Sequence, residues 1–289
     1  VTSALTQEKG LRYVHGYPGR EFRRKVLATS IDINGNTIYR DDIENDTNAV
    51  LYLPFDNAGV YDNTNLNTFV LKGVTLSTTQ TKFASRSMYF DGSSTVEIPY
   101  LDRRLWLGYG QVGGGVHAFG SGSHAPWAIE CWLYPQSTNA ENTIWSQGYS
   151  AQGSKISKLG YNASGQLTLQ IYRSSNYTSY TTTGNTLTMD AWNHVALVFE
   201  TTPNTIANTY YFYIDGVEVG SVGAHGTFNW SHGFINEPFI LGKYSYNNSY
   251  YFTGYMENFQ IIQNVSKYTQ AFSSGLPTAT QGRTNQAAS

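Results

Sequence analysis

Short stretches in which apolar and polar residues alternate recur along most of this chain, and they constrain its fold more than any other feature. A period of two residues is typical of a β-strand with one buried face. The side expected to face the core consists of alternate residues: Leu51, Leu53 and Phe55; Trp127, Ile129 and Leu133; Leu167, Leu169 and Ile171; Val195, Leu197 and Phe199. Because no window of helical length carries a convincing amphipathic pattern, the chain is predicted to be all-β.

Turn signals separate these stretches. Asp215 and Gly216 join YYFYI to VEVGSV, and Gly92, Ser93 and Ser94 join SMYFD to TVEIPY. Asp-Gly favours a two-residue hairpin turn, in which both central residues need a positive φ. Many short strands with regular turns are typical of a β-sandwich or a jelly roll. A chain of 289 residues has room for one large domain of this class.

Composition narrows the class of protein further. Only 13% of the residues are charged while 15% are aromatic, and the net charge of -2 indicates no particular partner. The one cysteine, Cys131, excludes an intrachain disulfide, and its place in WAIECWLYP predicts a small buried hydrophobe. No apolar run approaches the ~18 residues of a membrane span, so no membrane insertion is expected. The first ten residues contain no apolar run, so no secretory signal is expected.

The first segment, residues 1–48, differs from the rest of the chain. It holds a basic run: Lys9, Arg12, Arg20, Arg23, Arg24 and Lys25. Two short β-stretches flank Asn-Gly-Asn at 34–36 and predict a hairpin. A segment too small for its own core usually needs a partner to stay ordered, which favours an arm that docks on an acidic surface of another subunit over a solvated arm. No nucleic-acid fold follows it, so nucleic-acid binding is not expected.

Several stretches also match one family in order: LYLPFDN (51–57), FASRSMYFDGSSTVEIPY (83–100), AIECWLYP (128–135), DAWNHVALVF (190–199), YIDGVEVG (213–220), GYMENFQI (254–261) and VSKYTQAF (265–272). Together they resemble the laminin-G-like, concanavalin A-like jelly-roll family. The resemblance covers residues 49–272 and leaves a docking arm at 1–48 and a polar tail at 273–289. It implies an all-β, concanavalin A-like two-sheet β-sandwich with an N-terminal extended arm or hairpin.

The resemblance also implies how the strands meet. The closing strand is expected to pair beside the first strand, with Phe259 and Ile261 inward, and VSKYTQAF is expected to hold the end of the chain against the domain. Bulky aromatic residues can fill the space between the sheets. The residues assigned to that space are Phe90, Trp127, Trp132, Trp192 and Phe199.

The KYT…F exit resembles that of domains in tailed-bacteriophage virion proteins. This implies a non-enzymatic virion surface protein, a capsid decoration or tail-associated protein, that is made in the host cytoplasm. The arm would dock on a capsid or tail protein, the sandwich would face outward, and the chain would be a homo-oligomer. The alternative is a glycan-binding lectin or receptor-binding adhesin that contacts a cell-surface glycan. A glycosidase is a third and more distant alternative.

Catalysis is not expected. Retaining glycosidases need two carboxylates about 5–5.5 Å apart, and on one strand that requires acids at alternate positions. The E-x-D-x-x-E strand of the related glucanases is absent, and Glu130, Glu218 and Glu257 have no acidic partner on their own strands. The chain is therefore predicted not to be an enzyme.

Calcium is the candidate cofactor, since the family often holds this ion at a sandwich edge. Asp56 and Asn57 follow the first strand, and Glu257 and Asn258 lie in the last, so their oxygens would converge if the strands are neighbours. Family members usually carry an Asp pair where this chain has Glu257 and Asn258. The alternative is that these are ordinary polar residues of a sheet edge.

Aromatic residues concentrate before the last strand, in KYSYNNSYYFTGY at 243–255. Tyrosine offers a flat apolar face to sugar C–H groups and a hydroxyl for hydrogen bonds. The same composition suits a protein–protein interface, which we place first, ahead of glycan binding. Some of these rings can also belong to the core. The candidates for either surface are Trp230, Tyr244, Tyr246, Tyr250 and Tyr251.

Overall fold

The chain divides into two compact units, residues 1–42 and 43–289. The computed structural model describes residues 30–33, 36–39, 49–55, 60, 62, 67–83, 85–98, 126–148, 156–173, 176–201, 208–224, 238–245, 249–263 and 268. In the first unit, β1 (Ser30–Ile33) pairs antiparallel with β2 (Asn36–Tyr39). This confirms the hairpin that the Asn-Gly signal predicts.

The second unit contains two antiparallel sheets. The seven-stranded sheet has the order β12 (Asn176–Thr181), β11 (Leu167–Arg173), β10 (Ile156–Asn162), β9 (Glu141–Gly148), β16 (Phe239–Leu241), β7 (Thr95–Ile98) and β4 (Val70–Lys72). The eight-stranded sheet has the order β15 (Val217–Ala224), β14 (Asn208–Ile214), β13 (Asn193–Thr201), β8 (Trp127–Pro135), β17 (Thr253–Gln263), β6 (Ser87–Asp91) and β5 (Thr75–Ser77), and β3 (Ala49–Leu53) pairs with β17 beside this order. The predicted two-sheet β-sandwich is confirmed.

One hydrophobic cluster fills the space between the sheets. It contains every alternate residue assigned to the core: Leu51, Leu53, Phe55, Trp127, Ile129, Leu133, Leu167, Leu169, Ile171, Val195, Leu197 and Phe199. Burying one large apolar side chain contributes about 1.5–3 kcal/mol, so the strand pattern itself carries much of the stability. Among the described residues, no helix is long and apolar enough to cross a membrane.

The assignment of Trp132 to the space between the sheets is wrong. Its neighbours Cys131 and Leu133 belong to the central cluster, so Trp132 points to the outer side of the eight-stranded sheet. There its ring lies 5.3 Å from the rings of Phe83 and His194. Trp192 is also outside the central cluster and is half-buried. Phe90, Trp127 and Phe199 lie where they were expected.

The last strand, β17, pairs with β8 along one side and with β6 and then β3 along the other. A shift in register between Glu257 and Gln260 marks a β-bulge, at which Asn258 has a φ of 52°. The extra residue inverts the alternation, so Met256 and Phe259 both face the core although they are three positions apart. The predicted pairing with the first strand, with Phe259 inward, is confirmed.

Two turns follow the sequence signals. Asp215 and Gly216, with φ angles of 50° and 79°, connect β14 to β15 in the predicted hairpin, and glycine adopts such a φ without strain. The link at 92–94 has a different role, since β6 and β7 belong to different sheets. It carries the chain from one layer of the sandwich to the other.

Candidate functional site

The structure places part of the predicted aromatic surface on the segment between β16 and β17. Tyr250 is 42% exposed, Tyr251 is half-buried and Tyr244 is 7% exposed. The rings of Tyr244 and Tyr250 lie 5.9 Å apart. Trp230 and Tyr246 lie outside the described residues. Of the candidates that are described, Tyr250 offers the open ring face.

A buried lysine that the sequence analysis did not single out lies beneath these rings. The ammonium of Lys158 is 4.5 Å from the ring centroid of Tyr244 and 5.0 Å from that of Tyr250. It also forms an ion pair with the carboxylate of Glu141. The side chain of Lys158 is 4% exposed and that of Glu141 is 32% exposed. We call Glu141, Lys158, Tyr244 and Tyr250 the tyrosine–lysine cluster.

The local backbone explains why these side chains meet. Leu159 and Tyr161 face the core, so Lys158 lies on the outer face of the seven-stranded sheet. A register shift between β9 and β10 falls at Gly160. A Cβ atom at Gly160 would lie 2.1 Å from the backbone oxygen of Asn142, so only glycine allows this close approach.

Hydrogen bonds fix the aromatic segment on β9. The backbone N–H of Thr143 donates to the oxygen of Tyr250 at 2.9 Å, and Gly242 N–H donates to Ile144 at 2.9 Å. The hydroxyl of Ser146 donates to the backbone oxygen of Lys243 at 2.7 Å. Tyr250 is thus exposed at its ring and fixed at its backbone, where its φ is 57°.

The surface around the cluster is mostly polar. Residues opposite one another in register form a row across the seven-stranded sheet. From β12 to β4 the row is Ser179, Gln170, Lys158, Ser146, Ile240, Glu97 and Val70. An amide, hydroxyls and two ion pairs, Lys158 with Glu141 and Lys72 with Glu97, lie on this face. An exposed aromatic ring beside such groups has the chemistry of a sugar-binding or protein-binding surface.

The outer face of the eight-stranded sheet holds a second group of polar side chains, and this group is buried. Glu130 is 1% exposed and His194 is fully buried. Glu130 accepts hydrogen bonds from the amide of Gln260 and from the hydroxyl of Tyr268, the latter at 2.5 Å. The Nε2 atom of His194 is 3.4 Å from a Glu130 oxygen. We call Glu130, His194, Gln260 and Tyr268 the Glu130 cluster.

Tyr268 closes the Glu130 cluster. It comes from the VSKYTQAF exit, is 7% exposed, and packs with Ala128, Ala196, Val198 and Tyr213. Burial raises the pKa of the Tyr268 hydroxyl, and the negative charge of Glu130 beside it raises this pKa further. Tyr268 therefore stays a neutral donor to Glu130. The expected contact between the chain exit and the domain is present at this residue.

Of the other predicted site residues, the structure describes Glu257. Both carboxylate oxygens of Glu257 accept backbone hydrogen bonds, from Lys82 at 2.6 Å and from Phe83 at 3.1 Å. The calcium site predicted at Asp56, Asn57 and Glu257 stays a prediction. Asp56 and Asn57 lie outside the described residues, as do the basic residues of the arm from Lys9 to Lys25. Within the described residues, no group of three or more His, Cys, Asp or Glu side chains could hold a metal ion.

Comparison with protein families identifies the domain. A laminin G-type family model, described as the concanavalin A-like lectin/glucanases superfamily, matches residues 108–269, which is more than half of the 289 residues. The chain belongs to this superfamily. The concanavalin A-like assignment agrees with the two antiparallel sheets. No curated protein matches the chain.

Solved structures with a similar fold are distant from this concanavalin A-like chain. CBM40 of the Ruminococcus gnavus IT-sialidase, bound to alpha2,3 sialyllactose, is 15% identical with a TM-score of 0.42, and the match covers 50% of this chain and 78% of that chain. The binding domain of botulinum neurotoxin serotype D is 13% identical with a TM-score of 0.49, and the match covers 74% of this chain and 48% of that one. The concanavalin A-like chain thus spans about half the length of the neurotoxin domain.

Proposed function

We propose that this concanavalin A-like domain is a non-catalytic glycan-binding module, and that Tyr250 is the residue on which a sugar ring stacks. The observation that carries the proposal is the exposure of Tyr250, at 42%, beside a buried tyrosine and an ion-paired lysine. For this aromatic segment, the sequence favoured a protein–protein interface over glycan binding, and our proposal reverses that preference.

The geometry supports stacking for a physical reason. A sugar presents C–H groups on one face and hydroxyls at its edge, so it suits a fixed aromatic ring that is surrounded by polar groups. The backbone oxygen of Tyr250 is held by Thr143 at 2.9 Å, so little conformational freedom is lost when a ligand binds. Glu141 and Lys158 neutralise each other beneath the ring. The cluster therefore suits a neutral sugar.

Catalysis is not part of this proposal. A general acid must come within hydrogen-bond reach of the bond that it protonates. Glu130 is 1% exposed and lies under Tyr268, and the carboxylate of Glu257 is occupied by backbone N–H groups. Both carboxylates are placed to stabilise the fold.

A glycan array followed by titration calorimetry tests the proposal. We expect a neutral oligosaccharide to bind the full chain and Tyr250→Ala to weaken it at least about tenfold, as loss of a stacked ring costs roughly 1–3 kcal/mol. Tyr211→Ala is the matched control, because Tyr211 is a half-buried tyrosine of the opposite sheet. Equal affinity of the Tyr250→Ala variant and the unmodified chain would contradict the proposed site.

The N-terminal segment supports a second proposal, attachment to a virus particle. The observation in its favour is that residues 1–42 form a compact unit separate from 43–289. We propose that the basic arm docks the chain, as a homo-oligomer, on a capsid or tail protein at the virion surface. Deletion of residues 1–48 should abolish particle attachment and leave glycan binding intact. Full occupancy of particles by the truncated chain would contradict this role.

A further inference from the structure

A cleft lies where the loop after β12 meets the β14–β15 turn. This open cleft has a volume of about 440 Å³, and its walls include Asn185, Thr186, Thr188, Asp215 and Val217. All five residues are exposed, Val217 by 42%. The volume lies within the range of small-molecule sites, which is about 300–1,000 Å³. The lining shares no residue with the tyrosine–lysine cluster or the Glu130 cluster.

The loop wall of the cleft is held by a buried side chain. Asn193, 1% exposed, accepts the N–H of Thr188 at 2.8 Å and donates to the backbone oxygens of Thr188 at 2.9 Å and Ala191 at 2.7 Å. Gly184 N–H donates to Val219 at 3.0 Å. A Cβ atom at Gly184 would lie 2.8 Å from the Val219 backbone, so glycine is required for this approach.

The turn wall is equally fixed. One carboxylate oxygen of Asp215 accepts the backbone N–H of His194 at 2.8 Å. This bond orients the carboxylate of a residue that lines the cleft. Val217 follows directly and supplies an exposed apolar surface. Walls that are ordered before binding lower the entropic cost of holding a ligand.

We propose that this cleft is a binding site for a neutral saccharide unit. The Asp215 carboxylate accepts hydrogen bonds from sugar hydroxyls, the hydroxyls of Thr186 and Thr188 and the amide of Asn185 supply further partners, and Val217 contacts the C–H face of the sugar. The one charged side chain of the described lining is the carboxylate of Asp215. A negatively charged sugar is therefore repelled. The inference extends the glycan-binding function to a second site but does not depend on Tyr250.

Amide resonances of the isotope-labelled full chain, titrated with lactose and with glucuronate, test this site. Lactose should shift the signals of residues 184–188 and 214–217 at millimolar concentration, and glucuronate should not. Asp215→Asn should weaken lactose binding about tenfold, the scale of a hydrogen bond to a charged group. Asn-Gly still forms the same turn, so this variant keeps the fold.

Two more variants separate binding from structure. Thr188→Val removes one hydroxyl at nearly constant shape and should weaken lactose severalfold, while Thr78→Val, an exposed threonine beside β5, should not. Tyr250→Ala should leave the shifts at the cleft unchanged. If the cleft resonances do not shift at tens of millimolar lactose, this inference is overturned, even if Tyr250 binds a glycan. Glucuronate binding as tight as lactose binding overturns the ligand class.

Discussion

The outer faces of the two sheets each hold a buried ionisable side chain, but tyrosine covers that side chain differently on the two faces. Each carries a buried ionisable side chain in mid-strand, Glu130 on one sheet and Lys158 on the other, covered by tyrosine. Tyr268 covers Glu130 with its hydroxyl and is 7% exposed. Tyr250 covers Lys158 with its ring face and is 42% exposed.

This difference separates a structural cluster from the proposed binding surface. A buried charge is stable only where partners replace the lost water. The hydrogen-bond donors to Glu130, Gln260 and Tyr268, are buried in the fold, whereas the partner of Lys158, Glu141, is still 32% exposed. The ring of the Glu130 cluster, Tyr268, is therefore closed to a ligand, and the tyrosine–lysine cluster presents Tyr250 to solvent.

The largest effect is expected at Glu130. In Glu130→Ala, Gln260 and Tyr268 lose their acceptor in a closed space, and the free energy of unfolding should fall by about 3 kcal/mol. Urea denaturation measures this. Glu218→Ala, an exposed glutamate of β15, is the control and should change stability by less than about 0.5 kcal/mol. A loss below about 1 kcal/mol for Glu130→Ala would show that the cluster is hydrated.

One substitution made on both faces sharpens the comparison. Tyr268→Phe removes a hydrogen bond to a charged acceptor and should cost about 1.5–3 kcal/mol. Tyr250→Phe keeps the exposed ring face and should cost less than about 0.5 kcal/mol. Both values come from urea midpoints under identical conditions. Equal losses for the two variants would mean that the faces do not differ in the way described.

Strand alternation was enough to predict the sandwich, because each apolar set such as Val195, Leu197 and Phe199 keeps one period along its strand. It failed at β17, where Met256 and Phe259 both face inward. A bulge inverts the period, and no residue type in this strand predicts it, because the residue with the positive φ is Asn258 and not a glycine.

The candidate site was only half predictable. Composition located Tyr244 and Tyr250, because they lie in one aromatic segment. Lys158 and Glu141 meet through the β9–β10 register and its irregularity at Gly160, which no local pattern specifies. The signal in the sequence that could have located Lys158 is its place in ISKLGYN, a strand whose neighbouring residues face the core. The contact between Glu130 and Tyr268 spans 138 residues and needs the tertiary fold.

A smaller loss is expected at Lys158. Lys158→Met keeps a long side chain whose sulfur can contact the two rings, and the Glu141 carboxylate that it leaves is 32% exposed and can be hydrated. The free energy of unfolding should fall by about 1 kcal/mol. Lys72→Met is the matched control, because Lys72 also pairs with a glutamate, Glu97, but is 56% exposed. If Lys158→Met lowered the free energy of unfolding as much as Glu130→Ala, both clusters would be structural and the contrast between the two faces would be wrong.

The smallest effect at neutral pH is expected from tyrosine ionisation on the Glu130 face. Burial, followed by the charges of Glu218, Tyr211 and Glu200, raises the pKa of Tyr213 to about 12. In the unfolded chain a tyrosine ionises near pH 10, so the native state holds this proton more tightly. Its contribution to stability is complete below about pH 10 and is lost as the pH rises towards about 12. Burial also raises the pKa of the Cys131 thiol, so the comparison uses a Cys131→Ala background. In that background, Tyr213→Phe should make the alkaline decline of the urea midpoint less steep, although buried Tyr268 still contributes to it. An unchanged decline would contradict the assignment of this proton to Tyr213.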